Sequence, residues 1–407
     1  MPDVPQKYST DIEQAAGTVV GEHNTIYQYF REPENVGLAA KHIGFESLIA
    51  DKTRGFVGRR FVFDAIDDFL AESPSGYFLV LGEPGIGKTA ILAEVVKVHG
   101  YPHHFNVAPQ NIRTPRQFLA NACAQVIARY KLPHTSLPQD ATEDSNFLVQ
   151  CLQEAVADSR NRPVVLVVDA LDESDRQSLA PRANLLFLPP ALPDGAYVVA
   201  SSRPLDKQRL TVSEKRELFL EPDSEGNLLD VRAYVDQFLH DNADALSRAA
   251  PTPAATTDLV DALVERSEGN FIYLRYVLPA VASGRFDDGP DALPQGLTDY
   301  YQDHWEQMQI AEPIEFDEVY APVVCLLAVA REPLSTEQLV NFTGQDIARV
   351  RNAIGQWREF LEQSKSDGVD RFRLYHLSFQ EFLSSAVDLG RFDKLISRYY
   401  LSLARGG

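Results

Sequence analysis

The 407-residue chain is poor in several residue types, and each shortage narrows what it can be. Its 3 cysteines, Cys123, Cys151 and Cys325, lie far apart in sequence and lack the paired spacing of metal ligands. That argues against a structural zinc site or a disulfide framework and points to a reducing, intracellular compartment. No apolar stretch approaches the roughly 18 residues of a membrane span, and the start Met1-Pro2-Asp3-Val4-Pro5 is not a signal peptide, so a cytoplasmic location without membrane contact is expected. Basic residues are scarce, 38 Lys and Arg against 58 Asp and Glu, a formal charge of −20. A general surface for nucleic-acid phosphates needs clustered cations, which leaves room only for a small local basic pocket. With 44% apolar and 24% charged residues the composition is that of a folded protein, and the length allows about two to four domains at roughly 150 residues each.

Three short apolar runs read as buried strands. Tyr77 to Leu81 ends at a glycine-rich turn, Val164 to Val168 closes on Asp169, and Ala196 to Ala200 follows the turn Pro193-Asp194-Gly195. Helical patterns, including Ala90–Val98 and Phe118–Tyr130, lie between them, so the order predicts an α/β fold, a parallel sheet with helices on both faces. Residues 1–50 read as an extension or linker with one apolar cluster, Thr25 to Phe30. The nucleotide-binding unit is expected over 51–222. From 223 to 312 helical spacing takes over, as in Val231, Tyr234, Val235, Phe238 and Leu239. Ala249 to Thr257 reads as a loop, and Gly284 to Pro294 as a further break. A last unit, 313–407, has helical patterns at Val319–Ala330 and Thr336–Phe342, then an alternating stretch Arg371 to His376 and an amphipathic helix from Ser378, the order of a winged helix.

The chemistry concentrates in one motif. Gly82-Glu83-Pro84-Gly85-Ile86-Gly87-Lys88-Thr89 fits the phosphate-loop pattern in full and sits between a predicted strand and a predicted helix, whose first turn includes Ala90. Its glycines let successive amides turn toward phosphates at the positive end of a helix. Lys88 then reaches the β- and γ-phosphates, and the Thr89 hydroxyl completes a Mg²⁺ site. Asp169, at the end of a buried strand, is the expected second holder of Mg²⁺. Asp172 and Glu173 follow in Asp-Ala-Leu-Asp-Glu; either could position the attacking water, with Glu173 slightly favoured, and both could instead be helix caps. Arg203, in Ser201-Ser202-Arg203-Pro204, fits a γ-phosphate sensor or an ordinary loop ion pair. Phe56-Val57-Gly58-Arg59 could close over an adenine ring or only pack at a helix entrance. His376, by residue type alone, reads more readily as a bystander than as a ligand.

Taken together these residues resemble the STAND class of signal-transducing P-loop ATPases, and within it the NACHT clade. The carriers are Phe56 to Arg59, Gly82 to Thr89, His104-Phe105, Asp169 to Glu173 and Ser202-Arg203-Pro204. Further along, Gly269-Asn270-Phe271-Ile272-Tyr273, Leu293-Pro294-Gln295-Gly296-Leu297 and Tyr375-His376-Leu377-Ser378-Phe379 join them. The resemblance implies an ATPase sheet, a helical domain and a winged helix closed around ADP. It gives His376 to the β-phosphate, and Val57 and Pro294 to the adenine. It implies slow ATP hydrolysis to ADP, with an ADP-bound closed state, an ATP-bound open state and self-association on activation, as in a bacterial defence or signalling protein. It also implies effector and sensor modules, for which residues 1–50 and the segment after the winged helix offer no room, so a fragment or separate partner proteins is the expectation. Two other classes fit parts of the pattern. A DNA-loading AAA+ ATPase also pairs a P-loop with a winged helix, and the acidic balance weighs against it. A small-molecule kinase would need an acceptor pocket and an arginine lid in place of the long helical tail.

Overall fold

The computed structural model describes residues 37–159, 162–175, 183–204, 210–243, 252–286, 289–366 and 368–405. The apolar cluster Thr25 to Phe30 lies outside them.

Five parallel strands form the main sheet: β1 (Gly76–Gly82), β2 (His103–Phe105), β3 (Val164–Asp169), β4 (Ala196–Ser202) and β5 (Lys215–Leu220), in the order β2-β3-β4-β1-β5. Every residue of β1, β3 and β4 is buried, which is why those strands read as unbroken apolar runs. Their side chains alternate between two cores. Tyr77, Leu79, Leu166, Val168 and Val198 face α4 (Pro115–Tyr130) and α5 (Asn146–Asp158). Phe78, Val80, Val165, Val167 and Val199 face α2 (Arg60–Glu72) and α3 (Lys88–His99). The predicted α/β class and all three predicted strands are therefore present.

Three features differ from the expectations. Strand β5 was not foreseen: it is the sheet edge, half-exposed and charged, with Lys215 paired to Glu217 at 3.0 Å and Arg216 to Glu72 at 2.9 Å. Such charges suit an edge and hide it from a search for apolar runs. The helix α1 (Glu46–Lys52) packs on α3, so the end of the expected extension or linker is helical and docked on the sheet unit. The expected loop Ala249 to Thr257 contains a helix start, because Thr252 caps α7 (Pro253–Arg266) with proline in the first turn. Cys123 and Cys151, far apart in sequence, meet as free, buried thiols between α4 and α5.

The helices α6 (Glu225–Asp241), α7, α8 (Phe271–Ala282) and α9 (Gly296–Ala311) follow the sheet. The last unit holds α10 (Ala321–Val329), α11 (Thr336–Thr343), α12 (Ile347–Gln356), α13 (Leu377–Ala386) and α14 (Gly390–Arg405). Its small sheet has the order β6-β8-β7, from β6 (Leu334–Ser335), β7 (Leu361–Ser366) and β8 (Val369–Leu374). One continuous core runs from Val231 to Phe392, so the helical segment and the last unit are packed as one block. Aromatics weld the seam. Phe360 stacks on Phe379 at 4.4 Å and meets Tyr276 edge-on at 5.1 Å, while Trp357 donates its indole N–H to the Tyr320 carbonyl at 2.8 Å. Phe360→Ala should lower unfolding free energy by about 3–5 kcal/mol. Because the ring serves both segments, their tertiary signal in chemical denaturation should be lost in a single transition.

Candidate functional site

The phosphate loop leaves β1 at Gly82 and enters α3 at Lys88. Gly85 (φ 86°) and Gly87 (φ 99°) adopt the left-handed backbone the motif requires, and a Cβ on Gly85 would strike the Asn270 side chain. Five consecutive loop carbonyls accept hydrogen bonds, two from the motif's own lysine and three from outside it. Lys88 Nζ donates to those of Gly82 (2.7 Å) and Glu83 (3.0 Å), Asn270 Nδ2 to Pro84 (3.1 Å), the Phe271 amide to Gly85 (3.0 Å) and Arg59 Nη2 to Ile86 (2.6 Å). The Ile86 amide donates to the Glu83 carbonyl at 3.5 Å; engaging the carbonyls favours turning the remaining loop amides toward an anion.

The flanking strand tips supply the acids. Asp169, 2% exposed, accepts from Ser201 Oγ at 2.5 Å and from the Thr89 hydroxyl; burial pushes its carboxyl above the ordinary range against the pull of both hydroxyls and of Lys88. Ser201 also accepts the Ala170 amide at 2.8 Å, fixing a residue with φ 53°. Thr89 and Asp169 thus meet as the hard oxygen donors that suit Mg²⁺, which keeps waters and phosphate oxygens as its other ligands. Among the described residues no cluster of three His, Cys, Asp or Glu forms a self-sufficient metal site. Asp172 pairs with Arg203 Nε at 3.1 Å. Glu173 accepts the Ala108 amide at 3.0 Å, and burial raises its carboxyl to about 7. Neither acid caps its own short helix, Leu171–Glu173.

Arg203 reaches further. Its Nη1 donates to Glu381 Oε1 on α13 at 2.6 Å, so the expected sensor is an ion-pair bridge to the last unit. His376, at the start of α13, accepts the Ser378 amide on Nδ1 at 3.2 Å, which places the ring proton on Nε2. Burial, then Lys52, Lys88, Arg203 and Arg275, hold it neutral, down to about 3.

These side chains line one cleft. Its walls include Val57, Arg59, Pro84, Gly85, Gly87, Lys88, Thr89, Ala90, Asp172, Glu173, Arg203 and His376. Five residues with no part in the expected site join them: Lys52, Tyr234, Ile272, Arg275 and Tyr375. Tyr375 and Ile272 belong to the Tyr375 to Phe379 and Gly269 to Tyr273 signatures, and Tyr234 to a helical face, but Lys52 and Arg275 had no motif to mark them. Asp169 lines the adjoining chamber behind Thr89.

Some expected contacts fall elsewhere. Gly58 turns away, and a Cβ there would strike Asp230. Ile86 is buried in the sheet core and the Glu83 side chain is exposed, so both contribute only loop backbone. Pro294 is buried outside the cleft, its carbonyl accepting from Tyr273 Oη at 2.8 Å, so Phe271, Ile272 and Tyr234 take the helical side of the apolar end. Arg59 lines the cleft but is a structural clip. At 2% exposure it reaches Asn227 Oδ1 at 2.8 Å and Asp230 at 3.7 Å, and lies 4.6 Å from the Phe271 ring.

Residues 55–199 match the model of the AAA ATPase domain. Together with the sheet order and the phosphate loop, this makes the sheet unit a P-loop ATPase domain. No curated protein matches the chain significantly. Among solved structures the chain is similar to a Signal Transduction ATPase with Numerous Domains (STAND) protein with a tetratricopeptide repeat sensor from Pyrococcus horikoshii. The identity is 11% over 86% of this chain and 45% of that one, with a TM-score of 0.45. It is also similar to a point mutant of RuvB from Thermotoga maritima, at 11% identity over 83% of this chain and 95% of that one, with a TM-score of 0.27. The chain thus spans less than half the length of the first. No helix among the described residues is long and apolar enough to cross a membrane.

Two outcomes test the site's construction. Arg59→Ala strands the Ile86 carbonyl and leaves Asp230 without its buried cation, so it should cost about 3–5 kcal/mol in chemical denaturation. Glu173 binds its proton more tightly folded than unfolded, so its contribution to stability is present below the ordinary carboxylate range and lost as pH rises through about 7. Glu173→Gln should therefore gain melting temperature relative to the parent between pH 5 and pH 8, read by calorimetry at both.

Proposed function

We propose that the chain is an ATP/ADP-controlled switch of the STAND type, NACHT-like in its motifs, with slow ATP hydrolysis governing self-association. The proposal divides it into a nucleotide-binding domain near 51–222, a helical domain near 223–312 and a winged helix from 313. The observation that carries it is the composition of the cleft: phosphate-loop and acidic residues from the sheet unit face Phe271 and Ile272 of the helical segment and His376 of the last unit. A ligand filling such a cleft stabilises the closed arrangement in proportion to its affinity.

ADP fits the closed state. The loop amides and Lys88 would take its phosphates, the neutral His376 would donate Nε2–H to the β-phosphate, and Phe56, Val57 and Ile272 would border the base. Mg²⁺, held by Thr89 and Asp169, would supply charge neutralisation at the phosphates. Glu173, with its raised affinity for a proton, is the better base for the attacking water, and Asp172, tied to Arg203, a positioning residue. Arg203 supports the switch itself. A γ-phosphate drawn to its guanidinium competes with Glu381, the residue by which α13 is held to the sheet unit, so ATP would release what ADP leaves fastened.

The test uses the purified chain. Nucleotide released on denaturation is identified by chromatography, and mass is followed by light scattering in ADP and in ATP. We expect bound ADP and a monomer. His376→Leu should weaken ADP about ten- to a hundredfold, the size of one charge-assisted hydrogen bond, and Glu381→Gln should form larger species in ATP at lower concentration. Absence of nucleotide, with affinity and mass unchanged in both variants, would overturn the reading.

A further inference from the structure

Three parts of the chain converge on one tyrosine at the edge of the cleft. Lys52, the last residue of α1, donates from Nζ to Tyr375 Oη at 2.7 Å and lies 4.1 Å from the ring centroid. Arg275, on α8, places its guanidinium carbon 4.0 Å from the same centroid. Asp51 lies 3.6 Å from Arg275 and 4.0 Å from Lys52, and accepts from Tyr375 Oη at 3.4 Å. Two cations therefore share one aromatic ring and one nearby carboxylate, and both line the cleft beside His376 and Lys88. Lys52 also lines the chamber with Thr89 and Asp169.

Packing two cations on one ring is unfavourable unless an anion offsets them, since cation–π attraction supplies only about 0.5–2 kcal/mol. Burial and Arg275 lower the Lys52 ammonium to about 8, against the pull of Asp51, Glu362 and Asp169. Of these three carboxylates Asp51 is the one paired with Lys52, and at 4.0 Å that contact is longer than those Asp51 makes with Arg275 and with Tyr375 Oη.

We propose that Lys52 and Arg275, closed against the ring of Tyr375, form a second cationic arm of the site that grips the diphosphate of the bound nucleotide from outside the phosphate loop. The inference rests on the nucleotide reading of the cleft given above and adds two binding residues that the loop motif does not include. Because α1 belongs to the sheet unit, α8 to the helical segment and Tyr375 to the last unit, a diphosphate held here ties all three together. The ligand is recognised by charge and not by its base, so inorganic pyrophosphate should engage the same arm.

Calorimetric titration of the full chain with ADP, and separately with pyrophosphate, tests this in the parent, Lys52→Met, Arg275→Met and Lys52→Arg. Each Met variant should lose about ten- to a hundredfold in affinity for both probes, and Lys52→Arg should recover most of the loss. Arg275 is 40% exposed in its side chain, so its variant keeps the test open if Lys52→Met fails to fold. Unchanged ADP and pyrophosphate affinity in folded Arg275→Met, or no rescue by Lys52→Arg, overturns the proposal while leaving the nucleotide site intact. Failure of the parent chain to bind ADP overturns both.

Discussion

The site depends on the way the phosphate loop's carbonyls are occupied. A loop of glycines is free to point its peptide groups in many directions, and only one direction presents amides to an anion. Here Lys88, Asn270, the Phe271 amide and Arg59 engage the carbonyls of residues 82–86. Two of these donors come from the start of α8, 186 residues downstream of the carbonyls they engage. The helical segment is thus part of the loop's construction as well as a wall of the cleft. Asn270 does this while its Oδ1 accepts the Ile272 and Tyr273 amides, so one side chain caps the helix and fastens it to the loop.

The sheet order serves the same end. Strand β4 lies between β1 and β3, so the tip carrying Ser201 and Arg203 stands between the phosphate loop and the acids. Ser201 can then bond to both Asp169 and the Ala170 amide, and Arg203 can reach Asp172 on one side and Glu381 on the other. The seam between the helical segment and the last unit is apolar and continuous, whereas the contacts of the last unit with the sheet unit described above are ion pairs and hydrogen bonds. Polar contacts are more easily exchanged for ligand or water than a packed aromatic seam, so separation is easier at the cleft than within the helical block.

What was legible in the sequence was local. Gly82 to Thr89 announces itself because the backbone itself requires glycine at fixed positions, and β1, β3 and β4 because strands buried on both faces must be apolar throughout. Strand β5 was hidden by its charges, since an edge strand need bury only part of itself. Arg59 was read with the nucleotide because its partners Asn227 and Asp230 lie roughly 170 residues away, beyond any local pattern. Pro294 shows the limit of a motif carried over from a family: the proline is present, but a tyrosine hydroxyl holds its carbonyl inside the helical core. Lys52 and Arg275 carry no signal in one sequence, and the helical spacing that includes Tyr234 does not say what it faces, because only folding brings them to the cleft.

The charge distribution gives the arrangement its direction. A chain of net charge −20 concentrates Lys52, Lys88, Arg203 and Arg275 around a single cleft, where they depress the proton affinity of His376 together with burial. The carboxylates nearby offset this field only in part: Asp172 is tied to Arg203, and burial raises the proton affinity of Asp169 and Glu173. An anion entering the cleft meets cations that have already lost much of their water, and the attraction is correspondingly stronger than on an open surface. On the proposed nucleotide reading the cleft suits a short polyphosphate, and the acidic exterior opposes an extended phosphate backbone at longer range.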